Sequence, residues 1–332
     1  MSDVSDWYLQ REYGVRFEWG AGGAERVAGG VGCLVVVDVL SFTTSVNVAV
    51  EAGTRVHPYA WRDETASVFA RDNAAELAVG RRAVTPASPW SLSPAALRRA
   101  PFTPRLVLPS PNGSAIAAAA GGSTVVAGCL RNVSAVGRWL ALHGYGTLER
   151  PLAVIAAGER WPDGSLRPGL EDLMGAGAVI AALLATGGAG PLSPEAAAAR
   201  TAYTGTPDAA GAVAACSSAL ELARSGFADD VAIAVEVDAS TTVPVLTDGA
   251  FTAGTHTAGS PLDGAAHTGP STPRRPADPP SPGVPLLAPL PSPERLRRTE
   301  SAPRSHSRPR HDPITITHLT AQALLPPSMP RA

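Results

Sequence analysis

Lysine is missing from all 332 residues, and the 27 basic side chains are arginine throughout. That absence excludes Schiff-base chemistry and the lysine of a phosphate-binding P-loop. Cysteine is scarce: Cys33, Cys129 and Cys216 stand at no metal-ligand spacing. An odd number without a secretory context points to reduced thiols and a cytoplasmic protein. Charge of either sign is nearly balanced at a formal −2, so no general field draws nucleic acid or an anionic membrane, and neither is expected as a partner. Long apolar runs are lacking too. The longest, Ala176 to Ala185, falls well short of the roughly 20 residues of a membrane span. The opening MSDVSDWYLQREYGVRFEW is polar and acidic, where a signal peptide would be basic and then apolar. A soluble chain is expected. Nothing in the sequence fixes its oligomeric state, for which a homodimer is the commonest arrangement.

What is present is a chain apolar enough, at 45%, to bury a core. Strand and helix signals alternate along it, the pattern of an α/β protein with a largely parallel or mixed sheet. Val15 to Trp19 reads as a strand and the glycine-rich Gly20 to Gly32 as a loop. Cys33 to Val39 is a continuous β-branched run, followed by a helix to Glu51. Arg55 to Tyr59 reads as a strand and Trp61 to Ala78 as an amphipathic helix, and then come a proline-interrupted loop and a short helix from about Pro94. Strands over Arg105 to Leu108 and Thr124 to Ala127 lead into helices over Ala115 to Ala120 and Val133 to His143. Two helices, Ser193 to Tyr203 and Asp208 to Arg224, precede Val231 to Val237 and Val243 to Leu246, which could be late strands or a strand and a turn.

The central stretch is Pro151 to Gly187. A strand over Leu152 to Ala157 and a helix over Leu170 to Thr186 flank a polar loop holding Glu159, Arg160 and Asp163, and the helix opens on Glu171 and Asp172. Loops at the carboxyl ends of parallel strands are where ligands bind. Acids in a first helical turn are also favoured by the helix dipole alone, so the other strand ends carry the argument. Asp38 closes an apolar strand, where a carboxylate needs a partner or a metal, and Ser41, Thr43 and Thr44 follow as helix caps or anion ligands. Ser110, Asn112, Gly113 and Ser114 form a turn whose N–H groups could cradle an anion. Asn132 follows the next strand as an N-cap.

From about residue 255 the character changes. Residues 255–332 hold 17 of the 32 prolines and no Phe, Trp or Tyr, with nine arginines against five acids. Such a segment cannot bury enough apolar surface to offset its ordering entropy, and a disordered C-terminal tail is expected after a single domain over residues 1–254.

Five segments carry a resemblance when taken in order: VVVDVLSFTTS (35–45), PNGSAI (111–116), VVAGCLRN (125–132), AAGE (156–159) with LEDLMGAG (170–177), and DDVAIAVEVDASTTVPVL (229–246). Together they resemble the 2-phosphosulfolactate phosphatase family over roughly residues 10 to 254. The resemblance implies a three-layer α/β/α fold. It also implies Mg²⁺-dependent hydrolysis of 2-phospho-3-sulfolactate to 3-sulfolactate and phosphate, a step in coenzyme M synthesis. By residue type and loop position, Asp38, Glu171 and Asp172 could then hold Mg²⁺. Asn112, Gly113, Ser114 and Asn132, with Ser41 and Arg160, could bind the substrate. Glu159 is the candidate general acid or base, and Asp38 is alternatively a nucleophile. Two positions depart from the family pattern. Asp-Val-Leu-Arg-Ala-Thr-Ser is the usual run, and its arginine is Ser41 here; a usual Gly-Glu-Arg is Gly80-Arg81-Arg82. Arg81, Arg82, Arg131 or Arg160 could supply the missing guanidinium. The departures leave open another small acidic phosphoester as substrate, or a noncatalytic anion-binding relative.

Overall fold

The strands are β1 (Val15–Trp19), β2 (Cys33–Val37), β3 (Arg55–Tyr59), β4 (Glu76–Leu77), β5 (Arg105–Pro109), β6 (Thr124–Gly128), β7 (Leu152–Ala156), β8 (Glu159–Arg160), β9 (Leu166–Arg167), β10 (Pro244–Thr247) and β11 (Ala250–Ala253). Nine of them form one sheet in the order β1-β7-β2-β6-β10-β11-β3-β5-β4, and β8 and β9 pair apart from it. The computed structural model describes residues 6–60 and 63–254. All of these lie in a unit spanning Met1–Asp263; the tail expected over 255–332 lies outside the described residues.

Two parallel blocks make up the sheet, β1-β7-β2-β6 and β3-β5-β4. The antiparallel β10–β11 hairpin stands between them, meeting β6 at Val245–Val126 and β3 at Phe251–Val56. The β2 run explains the layering. Its side chains alternate, so Cys33, Val35 and Val37 enter one core while Leu34 and Val36 enter the other. The second core is covered by α1 (Gly20–Ala28), α2 (Phe42–Glu51) and α5 (Gly113–Ala118). The first is covered by α6 (Val133–Leu142), α7 (Leu170–Ala185) and α8 (Pro194–Thr204). The result is the three-layer α/β/α arrangement. Among the described residues no helix is long and apolar enough to cross a membrane, and all three cysteines are free and buried.

Four expected elements differ. Gly20 to Gly32 is not all loop, because Ala24, Val27 and Ala28 share a buried stripe that the glycines obscure, and α1 forms over them. The helix expected over Trp61 to Ala78 is confined to α3 (Glu64–Asp72), capped by Asp63 accepting from the Thr65 N–H, and β4 follows; residues 61–62 lie outside the description. Asp208 to Arg224 breaks into α9 (Ala209–Ala214) and α10 (Ser217–Leu222). The stretch Val231 to Val237, expected as a late strand or part of a strand and a turn, begins instead inside α11 (Ala228–Ala234), whose first turn carries Asp229 and Asp230. The short helix expected from about Pro94 is α4 (Pro94–Arg99).

Candidate active site

Asp38 follows the end of β2 and is only 7% exposed. Its Oδ1 accepts from the Phe42 N–H at 3.0 Å and its Oδ2 from the Gly113 N–H at 3.1 Å, so the first turns of α2 and α5 meet on one carboxylate. Gly113 has no room for a side chain: a Cβ there would lie 2.2 Å from the Phe42 ring and 2.9 Å from Asp38 Oδ2. The hydroxyls of Thr43 and Thr44 turn back to the Asp38 and Val39 carbonyls, fixing the same corner.

Asp172, in the first turn of α7, ties the ends of β2 and β7 together. Its Oδ1 accepts from the Val39 N–H and its Oδ2 from the Gly158 N–H, each at 2.7 Å. Neighbouring Glu171 is 1% exposed and accepts at Oε2 from the Cys216 thiol at 3.2 Å. Glu159, on β8, accepts at Oε2 from Asn112 Nδ2 at 3.4 Å, and Arg160 Nε donates to Asn112 Oδ1 at 3.2 Å.

Crowding of acids is visible in their proton affinities. Burial first, and then the Glu171 charge, push the Asp38 carboxyl up to about 6. Burial, followed by Asp38 and Glu171, raises Glu159 to about 7. Burial, followed by the same two neighbours, holds Asp172 well above the usual carboxylate range. A cavity of about 460 Å³ opens onto this group, lined among others by Asp38, Ser41, Arg81, Ser110, Asn112 and Glu159. Asn112 and Glu159 also border a neighbouring hollow of about 250 Å³ that includes Arg160.

Positive charge in the larger cavity comes from Arg81. Its Nη2 donates to Ser41 Oγ at 2.7 Å and its Nε to Asp230 Oδ2 at 3.0 Å. Asp230 is itself buried, and its other oxygen accepts from the Ser93 hydroxyl and the Ala95 N–H at the start of α4. The guanidinium is therefore fixed from behind by an acid that does not face the cavity lining.

The larger cavity thus brings together Asp38, Ser41, Asn112 and Glu159, with Arg160 in the adjoining hollow. Three expected ligands are used elsewhere. The Gly113 N–H is committed to Asp38, and the Ser114 hydroxyl points to the Leu108 carbonyl. Asn132 is fully buried, and its amide donates to the Ala127 and Thr242 carbonyls while its Oδ1 accepts from the Cys129 N–H. Arg131, weighed as a source of the missing guanidinium, is turned inward to Asn47, Glu51 and Glu236. Asp163 is an exposed turn residue accepting from Ser165. Among the described residues no three acid, histidine or cysteine side chains converge into a ready-made metal cage. The trio of Asp38, Glu171 and Asp172 does not form one.

A phosphate ester fits a cavity that opposes carboxylates to a guanidinium and an amide. The sequence profile of 2-phosphosulpholactate phosphatase matches residues 24–249. The chain belongs to that family. It is a phosphoric monoester hydrolase taking a small phosphorylated substrate. No curated protein matches the chain. In this phosphatase the residues that sequence reasoning undervalued are Arg81 and Asp230. A signal existed for the second, since an acid abutting the apolar Val231-Ala232-Ile233 needs a buried partner. For the pairing of Arg81 with Ser41, 40 residues apart, the departures from the family pattern at both positions left Arg81 as one of four candidates, and only the fold singles it out.

Proposed function

We propose that this phosphatase hydrolyses 2-phospho-3-sulfolactate to 3-sulfolactate and phosphate, with Mg²⁺, as in coenzyme M synthesis. The observation carrying the proposal is the shared lining of Asp38, Ser41, Arg81, Asn112 and Glu159 around one cavity. A substrate with several acidic groups needs a fixed cation, and Arg81, braced by Asp230, offers its planar fork. Asn112 offers an amide beside Glu159. Glu159, with a carboxyl raised to about 7, can both give and take a proton near neutrality, as an acid for the leaving alkoxide and a base for water requires.

The donor set suits Mg²⁺. This ion is commonly held by one or two carboxylates, completed by water and substrate oxygens, without an all-protein cage. The raised proton affinities of Asp38 and Asp172 mark a place short of positive charge. Asp38 would hold the ion with Glu171: both Asp38 and Asp172 accept two backbone N–H groups, but Asp38 lines the cavity and Asp172 does not. When bound it would neutralise phosphoryl charge. Asp38, immobilised by two amides, then serves as a ligand in preference to a nucleophile.

Phosphate release from 2-phospho-3-sulfolactate, compared with a panel of phosphorylated small acids, tests the reading. Turnover confined to other esters would favour a different acidic phosphoester, the alternative that Ser41 raises. Asp38→Asn should abolish release while the circular dichroism spectrum is kept; unchanged turnover would remove Asp38 from the site.

A further inference from the structure

Beside β1 lies a separate hollow of about 420 Å³, lined among others by Arg11, Arg16, Arg26, Gly29 and Gly30 and, among the described residues, by no acidic side chain. Arg16 is 4% exposed. Its guanidinium donates to three neutral carbonyls, from Nε to Tyr13 at 3.1 Å, Nη1 to Leu9 at 3.3 Å and Nη2 to Arg11 at 3.4 Å. Among the described residues no carboxylate reaches it within ion-pair distance. A buried charge faced only by dipoles is costly unless an anion joins it. Burial, followed by the nearby Arg11 charge, lowers the Arg16 proton affinity, the direction expected of a cation lacking its counterion.

A purely structural duty for Arg16 would be to tie down the loop over residues 9–13. That loop is already anchored by Gln10, which donates to the Phe17 carbonyl at 2.8 Å and accepts from the Phe17 N–H at 3.1 Å. The Arg16 bonds run to the long side of the ordinary range. Nor do the other two cations have strong partners. Arg11 meets exposed Asp6 at 3.4 Å, and Arg26 donates to the Gly22 carbonyl at 2.6 Å. Gly30 keeps the rim open, since a Cβ there would lie 3.0 Å from Arg16 Nη1.

We propose that this hollow is a second anion site, distinct from the carboxylate cavity, which takes a small multiply charged oxyanion between Arg11, Arg16 and Arg26. Three guanidinium groups favour a dianion over a monoanion, and planar N–H pairs match phosphoryl oxygens. Free phosphate and a phosphorylated three-carbon acid share that chemistry.

The test is calorimetric titration of the full chain with inorganic phosphate, and then with a phosphorylated three-carbon acid. Exposed Arg11 and Arg26 permit a variant, R11Q/R26Q, with little risk to folding, and Arg16→Met is the second probe. Phosphate affinity should fall at least tenfold in R11Q/R26Q and persist in Arg81→Gln, while ester hydrolysis should be unchanged in Arg11→Gln alone, because Arg26 also borders the hollow beside Glu159. Tighter binding of the acid than of phosphate, lost in the same variants, would assign the hollow to the ester; equal or weaker binding would assign it to free phosphate. Undiminished phosphate binding in R11Q/R26Q, or no binding by the unaltered chain at millimolar phosphate, would overturn the proposal.

Discussion

Arg81 donates from Nη2 to the Ser41 hydroxyl at 2.7 Å. The guanidinium is thus delivered by the loop after β4 to the corner where the family resemblance leads one to expect an arginine at position 41 itself. Asp230 sets its plane from the other side.

Arg81→Gln should weaken substrate binding and also lower stability, because buried Asp230 loses its ion-pair partner. Hydrogen bonds to charged groups contribute roughly 1.5–3 kcal/mol, or about 10- to 150-fold. The loss is expected mainly in KM, and Arg81→Lys should not restore it because one ammonium cannot serve Ser41, Asp230 and a substrate oxygen together. Steady-state kinetics check this, and an unaltered KM in Arg81→Gln would remove the residue from recognition.

Asp172 is expected to behave as a structural clamp. Its truncation in Asp172→Ala leaves the Val39 and Gly158 N–H groups without their acceptors. Each unsatisfied buried group costs about 1–3 kcal/mol, so a loss of roughly 2–6 kcal/mol is expected in denaturant unfolding. Asp172→Asn keeps one acceptor oxygen and should lose less.

The acids in the cavity make stability depend on pH in a defined direction. Glu159 rises from 4.5 to about 7 and Asp38 from 3.8 to about 6. Between those limits the folded chain holds more protons than the unfolded one, so their contribution is complete at the acid end and is lost as pH rises. Thermal melts in chelator should show Tm falling from roughly pH 4 to pH 7. Glu159→Gln, which cannot ionise, should flatten part of that fall. A Tm that climbs across the same window, with or without the substitution, would contradict the charge arrangement.

Mg²⁺ should reverse the effect where the carboxylates are ionised. Added at about pH 8 it is expected to raise Tm, and at about pH 5, where protons compete for the same oxygens, to do much less. Chelator should abolish ester hydrolysis, with activity returning on Mg²⁺ addition. Equal stabilisation at both pH values would point to a cation bound away from these acids.

Strands buried on both faces were legible from the chain alone, because Cys33 to Val37 and Leu152 to Ala156 are continuous apolar runs with no other stable placement. The α1 stripe of Ala24, Val27 and Ala28 was hidden behind Gly20, Gly22 and Gly23, whose low helix propensity is overcome by packing. Alternating Val231, Ile233 and Val235 resemble a strand, yet the two acids before them start a helix. The turn at Asp248 and Gly249, with φ of 51° and 76°, is a hairpin signal in plain view, and β11 beyond it was overlooked. Residue type located the corner around Asp38 but could not tell spent groups from open ones. Asn132 looks like any loop amide until its bond to the Thr242 carbonyl, 110 residues away, is known.

The hairpin has a bearing on biosynthesis. Strands β6 and β3 receive their inner neighbours only when residues 244–253 arrive, so for most of its time on the ribosome the nascent chain carries two raw borders able to recruit a foreign strand. Shielding by a holdase, or prompt emergence of those ten residues, decides whether a newly made molecule matures or clumps.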